Sequence, residues 1–155
     1  MRALVVCSLV LGLLGFSSVS SGQSASTGPD RIGTFKQIDG EAWVGPADTR
    51  RPANSGDSVQ LSDRLSTGKT GAAAVTLKDG TVITLGPNTT VDLNQFAFNT
   101  TTQEGNVLIE LLQGSVRVVT GILGKVNPEL FKVKTPTSVV GVRGTDFIVE
   151  TEAAK

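Results

Sequence analysis

Histidine and tyrosine are absent from this chain, and cysteine occurs once, as Cys7. Each absence removes a chemistry. Without His there is no imidazole base for a nucleophilic triad and no His–Cys set for zinc, and one Cys makes neither a disulfide nor a redox pair. An excess of charge is lacking too: Lys plus Arg and Asp plus Glu each number 14, so no net field draws nucleic acid or an anionic membrane surface. Beyond the N-terminal run no segment carries apolar residues at helical spacing. The composition calls for no cofactor and no metal, and no residue set reads as catalytic.

What is present begins with a leader. Arg2 precedes an apolar run from Ala3 to Phe16, and small residues fill Ser17 to Gly22. That is the order of a secretory signal peptide, with an apolar run too short to span a bilayer comfortably. Residues 1–22 are therefore expected to be removed on export to the periplasm or beyond, leaving no stable membrane span. Cys7 leaves with them, so the mature chain depends on packing and backbone pairing in an oxidising compartment. Residues 23–31 are small and polar, a disordered tail; the folded unit is expected over 32–150, with a short C-terminal tail at 151–155.

Turn signals recur about every 8 to 12 residues between short β-rich runs, the pattern of an all-β fold. Ile32 to Ile38 and Glu41 to Val44 flank Asp39-Gly40, a hairpin signal because tight turns need positive φ. Trp43 is expected to lie over one edge of the core, and Arg50-Arg51 to be a solvated loop pair. Gly68-Lys69-Thr70 ends like a phosphate loop, but Asp63 stands where that loop needs Gly and a strand follows where it needs a helix. Ala73, Val75 and Leu77, then Ile83 and Leu85, then Val91 and Leu93 share one parity, with turns at Asp79-Gly80 and Gly86-Pro87-Asn88. Phe96 and Phe98 share a strand face that covers the core. Val107 to Leu112 is a nearly continuous apolar run, expected to be buried on both faces, and Gln113-Gly114-Ser115 leads into Val116 to Val119 with Arg117 facing out. Thr120 to Leu130 reads as a loop or at most one helical turn.

The last stretch, FKVKTPTSVVGVRGTDFIVE from Phe131 to Glu150, is a strand, a corner and a strand. Pro136 cannot continue a ladder, so the chain turns there. Gly141 and Gly144 bracket Arg143 and supply backbone freedom or close approach, while Phe147 and Val149 point away from Asp146 and Ile148. Arg143 and Asp146 are expected to form a local ion pair that braces the corner. The short strands and glycine corners fit either a compact rolled sandwich or barrel, or a small β-solenoid. Three functions compete, in this order: a binding or scaffolding module of the cell envelope using an exposed strand edge or the end of a solenoid, a signalling accessory acting through a separate membrane partner, and a hydrolase using Glu110 with Asp92 or Asp146. The last ranks lowest, since the carboxylates are scattered and no His assists them.

Leu65 to Gly68 (LSTG), Leu77 to Leu93 (LKDGTVITLGPNTTVDL), Leu112 to Val118 (LQGSVRV) and Lys134 to Phe147 (KTPTSVVGVRGTDF) together resemble the FecR domain, a periplasmic module of Gram-negative regulators. The residues matching its motifs are Asp79, Gly80, Gly86, Gly114, Thr135, Pro136, Gly141, Val142, Arg143, Gly144, Thr145 and Phe147, in structural roles. The resemblance implies an all-β, solenoid-like core, a non-enzymatic module of the cell envelope, and contact with another envelope protein. Sensor-type relatives add a cytoplasmic anti-sigma segment and a membrane anchor before the domain and a receptor-contacting module after it. Here a signal peptide is expected in place of the first two, so a signalling role would run through a separate membrane partner.

Overall fold

A computed structural model describes residues 31–152. The expected signal peptide and residues 23–30 of the expected tail lie outside the described residues, and so do 153–155. The strands reach one residue further at each end than expected, since Arg31 opens the first and Thr151 closes the last. In order they are β1 Arg31–Asp39, β2 Ala42–Gly45, β3 Arg51–Pro52, β4 Ser58–Gln60, β5 Arg64–Thr67, β6 Ala72–Leu77, β7 Val82–Leu85, β8 Thr90–Phe98, β9 Gly105–Val119, β10 Phe131–Lys134, β11 Val139–Gly141 and β12 Asp146–Thr151. Between β9 and β10 lie α1, Ile122–Val126, and a 3-10 turn, Pro128–Leu130, slightly more helix than the sequence pattern predicts.

Hydrogen bonding joins the strands in one curled sheet, ordered β3-β2-β5-β8-β9-β7-β6-β1-β4. The order is symmetric about the 15-residue β9: β8 and β7, β5 and β6, β2 and β1, and β3 and β4 flank it at equal distances. One arm of the sheet holds β3, β2, β5, β8 and the first half of β9, extended by β10 and β11. The other holds β4, β1, β6, β7 and the second half of β9, extended by β12. All pairs are antiparallel except β9 with β10. The pairing supports neither parallel solenoid rungs nor two separate sandwich sheets. The fold is all-β, a sheet bent along one line into two arms around a shared core.

The bend corrects one local expectation. Asp39-Gly40 does not close a hairpin: β1 pairs with β4 and β6, and β2 with β3 and β5, so the chain leaves one arm there and enters the other. Gly40, at φ 70°, takes the positive φ that the dipeptide offers, but an arch between arms uses it as readily as a hairpin. Residues 53–57, with Gly56 at φ 93°, cross back from β3 to β4 in the arm of β1, Gly68-Lys69-Thr70 and Gly86-Pro87-Asn88 form further corners, and Gly114, at φ 88°, bends β9 itself.

Alternation then fills the interior. Ala73, Val75, Leu77, Ile83, Leu85, Val91 and Leu93 are all buried, as their shared parity predicts. In β9 only Val107, Ile109, Leu111, Val116 and Val118 are fully buried, and Leu108, Glu110 and Leu112 are half-exposed. The apolar run is thus buried on one face, because no second layer covers the outside of the sheet. Phe96 and Phe98 pack against the core as expected. Opposite the corners, the mouth between the arms is closed by Leu123 of α1 and by Val142, 1% and 4% exposed.

At a bend the regular ladder is interrupted, and the freed N–H and C=O groups need new partners because they are buried or half-buried. Two threonines provide them. Thr67 Oγ1 donates to Gly86 O (2.6 Å) and accepts from Thr89 N (3.0 Å). Thr89 Oγ1 donates to Ser115 O (3.0 Å) and accepts from Ser115 N (3.1 Å). Backbone bonds Gly68 N to Glu41 O, Asn88 N to Gly68 O and Gly86 N to Ser115 O, each 2.9 Å, tie neighbouring corners together. Thr89→Val keeps the shape but leaves Ser115 N–H without its acceptor, and is expected to lower unfolding free energy by about 1–3 kcal/mol. Equal urea midpoints for Thr89→Val and the parent would contradict this.

Candidate functional site

The outward positions of β5, β8, β9 and β10 place Arg64, Asp92, Glu110 and Lys134 in one row across four neighbouring strands. The row alternates into two ion pairs. Arg64 donates from Nε to Asp92 Oδ1 and from Nη2 to Asp92 Oδ2, both at 2.6 Å. Lys134 Nζ lies 3.1 Å from Glu110 Oε1, and Asn94 Nδ2 donates to Glu110 Oε2 at 2.6 Å. The hydrogen bonds that Arg64 donates to Asp92 raise the Arg64 pKa further, and burial opposes them. Asp92 and Glu110, weighed above as a hydrolytic pair, do stand opposite each other. Each is engaged by its own cation on an open face, whereas general acid–base work needs free carboxyl groups facing each other across a substrate-sized gap.

The third carboxylate is elsewhere. Asp146 is held by Arg117, with Nε to Oδ1 at 2.9 Å and Nη2 to Oδ2 at 2.5 Å, and not by Arg143. The register explains this correction: Ile148 of β12 stands opposite Arg117 of β9, so Arg117 and Asp146 are diagonal neighbours on one face, while Arg143 lies in the crossing between β11 and β12. The expected local brace is a cross-strand bond instead. The Arg117 guanidinium, mainly through these hydrogen bonds, holds the Asp146 carboxyl below its ordinary value. Arg51 does the same to Asp57 from 2.6 Å, linking β3 to the segment before β4.

The motif residues fall at several corners and turns and do not converge. Asp79, 1% exposed, accepts from Thr81 N and Thr81 Oγ1 at 3.1 and 2.7 Å, and its carbonyl receives Ile122 N at 2.9 Å, so the Asp79-Gly80 turn seats the start of α1. Gly86 and Gly114 are corner residues, and a Cβ at Gly114 would meet Thr89 and Asn88. Thr135 and Pro136 form the β10–β11 turn, with Thr135 N donating to Ser138 O at 2.8 Å. Val142 fills the mouth, Gly144 takes φ 131°, Thr145 O accepts from Thr120 N at 2.9 Å, and Phe147 meets Phe131 edge to face at 6.4 Å. Gly141 departs from expectation: its φ is not positive and a Cβ there would meet nothing within 4 Å. Arg143 is exposed.

Two surface features stand apart from the ion pairs and the corners. Trp43 lies between buried Ala42 and Val44 and therefore faces outward, away from the core edge where it was expected. With Asp48, Arg50, Ser66 and Thr90 it lines an open depression of ≈ 450 Å³, in which Arg50 Nη1 donates to Ser66 Oγ at 2.8 Å. Second, among the described residues seven large apolar side chains are exposed, and all but Leu61 lie between Val119 and Ile148. The outward parity of Ile148 is visible in the sequence; that the residues around it gather at one end of the sheet is not. Among the described residues no three of His, Cys, Asp and Glu converge as metal ligands, and no helix is long and apolar enough to cross a membrane.

Comparison with known families gives one match: a family model described as FecR protein covers residues 63–155. Neither the curated proteins nor the solved structures yield a match. The matched span starts at the turn before β5 and contains the corners at residues 68–71, 86–89 and 114.

The Arg117–Asp146 pair has a pH signature. A carboxylate with a depressed folded pKa contributes stability above its unfolded value, here the ordinary 3.8, and that contribution is lost as pH falls through the folded value. In an NMR titration the Asp146 carboxyl should have its midpoint below 3.8 in the parent and near 3.8 in Arg117→Gln. The same midpoint in both proteins would show that the pair does not form in solution.

Proposed function

The chain belongs to the FecR family, which is non-catalytic, and from that premise we propose that it is an exported accessory of envelope signalling. In this reading residues 1–22 direct export, the all-β unit works in the periplasm, and a separate membrane protein carries the signal inward. The observation that supports it best is the family match over most of the bent sheet, from the turn before β5 through β12. The motif residues act as architecture: they hold corners, turns and the mouth, and leave the outer faces and edges to meet a partner. The carboxylates fit this reading, since Asp57, Asp92, Glu110 and Asp146 are each paired with a cation. A partner surface needs fixed shape and complementary charge and no titrating group.

A second reading, a binding or scaffolding module of the envelope, is favoured by the exposed apolar residues gathered between Val119 and Ile148, which fit a standing contact. Deleting the coding sequence in the host separates the two. The signalling reading expects transcripts of an envelope-receptor system to lose their response to stimulus, with envelope complexes intact. Unchanged transcripts together with loss of an envelope complex would replace it with the scaffold.

A further inference from the structure

The bent sheet ends unevenly. Beyond β9 one arm carries two more strands, β10 and β11, and the other carries one, β12. Among the described residues β11 and β12 each pair on one side only, so each presents a row of free backbone donors and acceptors. Protected edges are kept very short or shielded by charged side chains, Pro, a bulge or an inward-pointing charge; β11 has 3 residues and β12 carries exposed Asp146 and Glu150. Neither strand contains Pro, and their outward side chains include Val139 and Ile148, 62% and 63% exposed, the two most exposed large apolar residues described.

We propose that this stepped edge is self-complementary and joins two copies of the chain about a two-fold axis, with β12 of each running antiparallel along β11 of the other. Take the axis through the line of corners, between the arms. A half-turn about it exchanges the arms and reverses the stacking direction, so the arm that ends in β11 comes to lie over the arm that ends in β12. The step then closes, because β11 of one copy fills the level above β12 of the other, and the reverse holds on the second arm. Strand direction agrees. β12 runs toward the corner, from Asp146 opposite Val119 to Thr151 opposite Gly114. β11 runs away from it, from Val139 level with Glu110 to Gly141 level with Leu108. The half-turn keeps each direction relative to the corner, so the new pair is antiparallel on both arms, an isologous contact.

Side chains fit the same placement. Ile148 stands across from Arg117, three residues past Gly114, and Val139 is level with Glu110, four residues before it. With corner over corner, Ile148 of one copy therefore meets Val139 of the other within one residue. Ile148 is flanked on β12 by exposed Asp146 and Glu150, and Val139 is backed on β10 by exposed Lys132 and Lys134. An acidic–apolar–acidic strip thus faces an apolar residue with lysines behind it; Asp146 and Lys134 are already paired within the chain, with Arg117 and Glu110, so Glu150 and Lys132 are the charges in this placement that no ion pair engages among the described residues. Pairing β12 with its own copy about Ile148 would instead oppose Asp146 to Glu150, like charge against like. Gly141, which has no reason within its own fold to be Gly, stands between the incoming acidic strip and Lys132 and leaves that approach open.

The proposal is independent of the signalling reading and is tested on the purified full chain in a Cys7→Ser background. Sedimentation velocity over a concentration series should show a reversible dimer. Ile148→Lys, with an unchanged circular dichroism spectrum and urea midpoint, should abolish it. Under mild oxidation a mixture of Val139→Cys and Ile148→Cys chains should form a disulfide-linked dimer, and neither variant alone should. A monomer at every concentration, a dimer that survives Ile148→Lys, or absence of the mixed disulfide would overturn the proposal. Efficient linking of Ile148→Cys alone would also overturn it, in favour of β12 pairing with itself.

Discussion

Where a sheet folds across itself, the backbone groups freed at the fold have to find partners out of water, and in this protein everything else depends on how that is done. The two arms face each other because the chain turns from one to the other at Gly40, at 53–57, at 68–71, at 86–89 and at Gly114. Gly40 and Gly114 take positive φ, Asn88 does so at the corner before β8, Gly68, Gly71 and Gly86 let neighbouring corners approach, and the hydroxyls of Thr67 and Thr89 carry the hydrogen bonds that the strands cannot. Leaving one such group unpaired costs about as much as burying a branched aliphatic side chain returns. A core of Val, Leu and Ile drawn from both arms is stable only while the seam is satisfied.

The same bend decides what lies outside. With all large aliphatics of one parity turned inward, the outer faces receive Arg, Asp, Glu and Lys, and strand register sets which of them meet. Arg64 with Asp92, Lys134 with Glu110, and Arg117 with Asp146 are cross-strand pairs created by register, and exposed pairs of this kind contribute modestly to stability. They fix the pattern of charge that a partner would read. A family without catalytic activity asks no more of its outer faces than fixed shape and charge.

The alternation of Ala73, Val75 and Leu77 through Leu93 was legible because period two is a local property and the core lies on one side only. The function of Asp39-Gly40 was not. A hairpin and an arch make the same demand on φ at one residue, and only the identity of the neighbouring strands, set far away in the chain, tells them apart. Trp43 was misplaced for a related reason: its size argues for the interior, but its place between Ala42 and Val44 overrides size. Arg143 and Asp146 are near in sequence, yet the β9–β12 register gives Asp146 to Arg117. The candidate surface was half legible, since the outward parity of Ile148 can be read from its neighbours while the step between β11 and β12 exists only once both arms are assembled.

Backbone hydrogen exchange followed by NMR tests the role of the corners most directly. If the seam holds the arms together, the amides of Thr67, Gly68, Asn88 and Ser115 should exchange only through global unfolding, with protection equal to the full unfolding free energy. The amides of Thr101 and Thr102, bonded only to Asn99 Oδ1 in an exposed hairpin, should exchange through local opening at far lower protection. Corner amides that exchanged as readily as those of the hairpin would contradict the account.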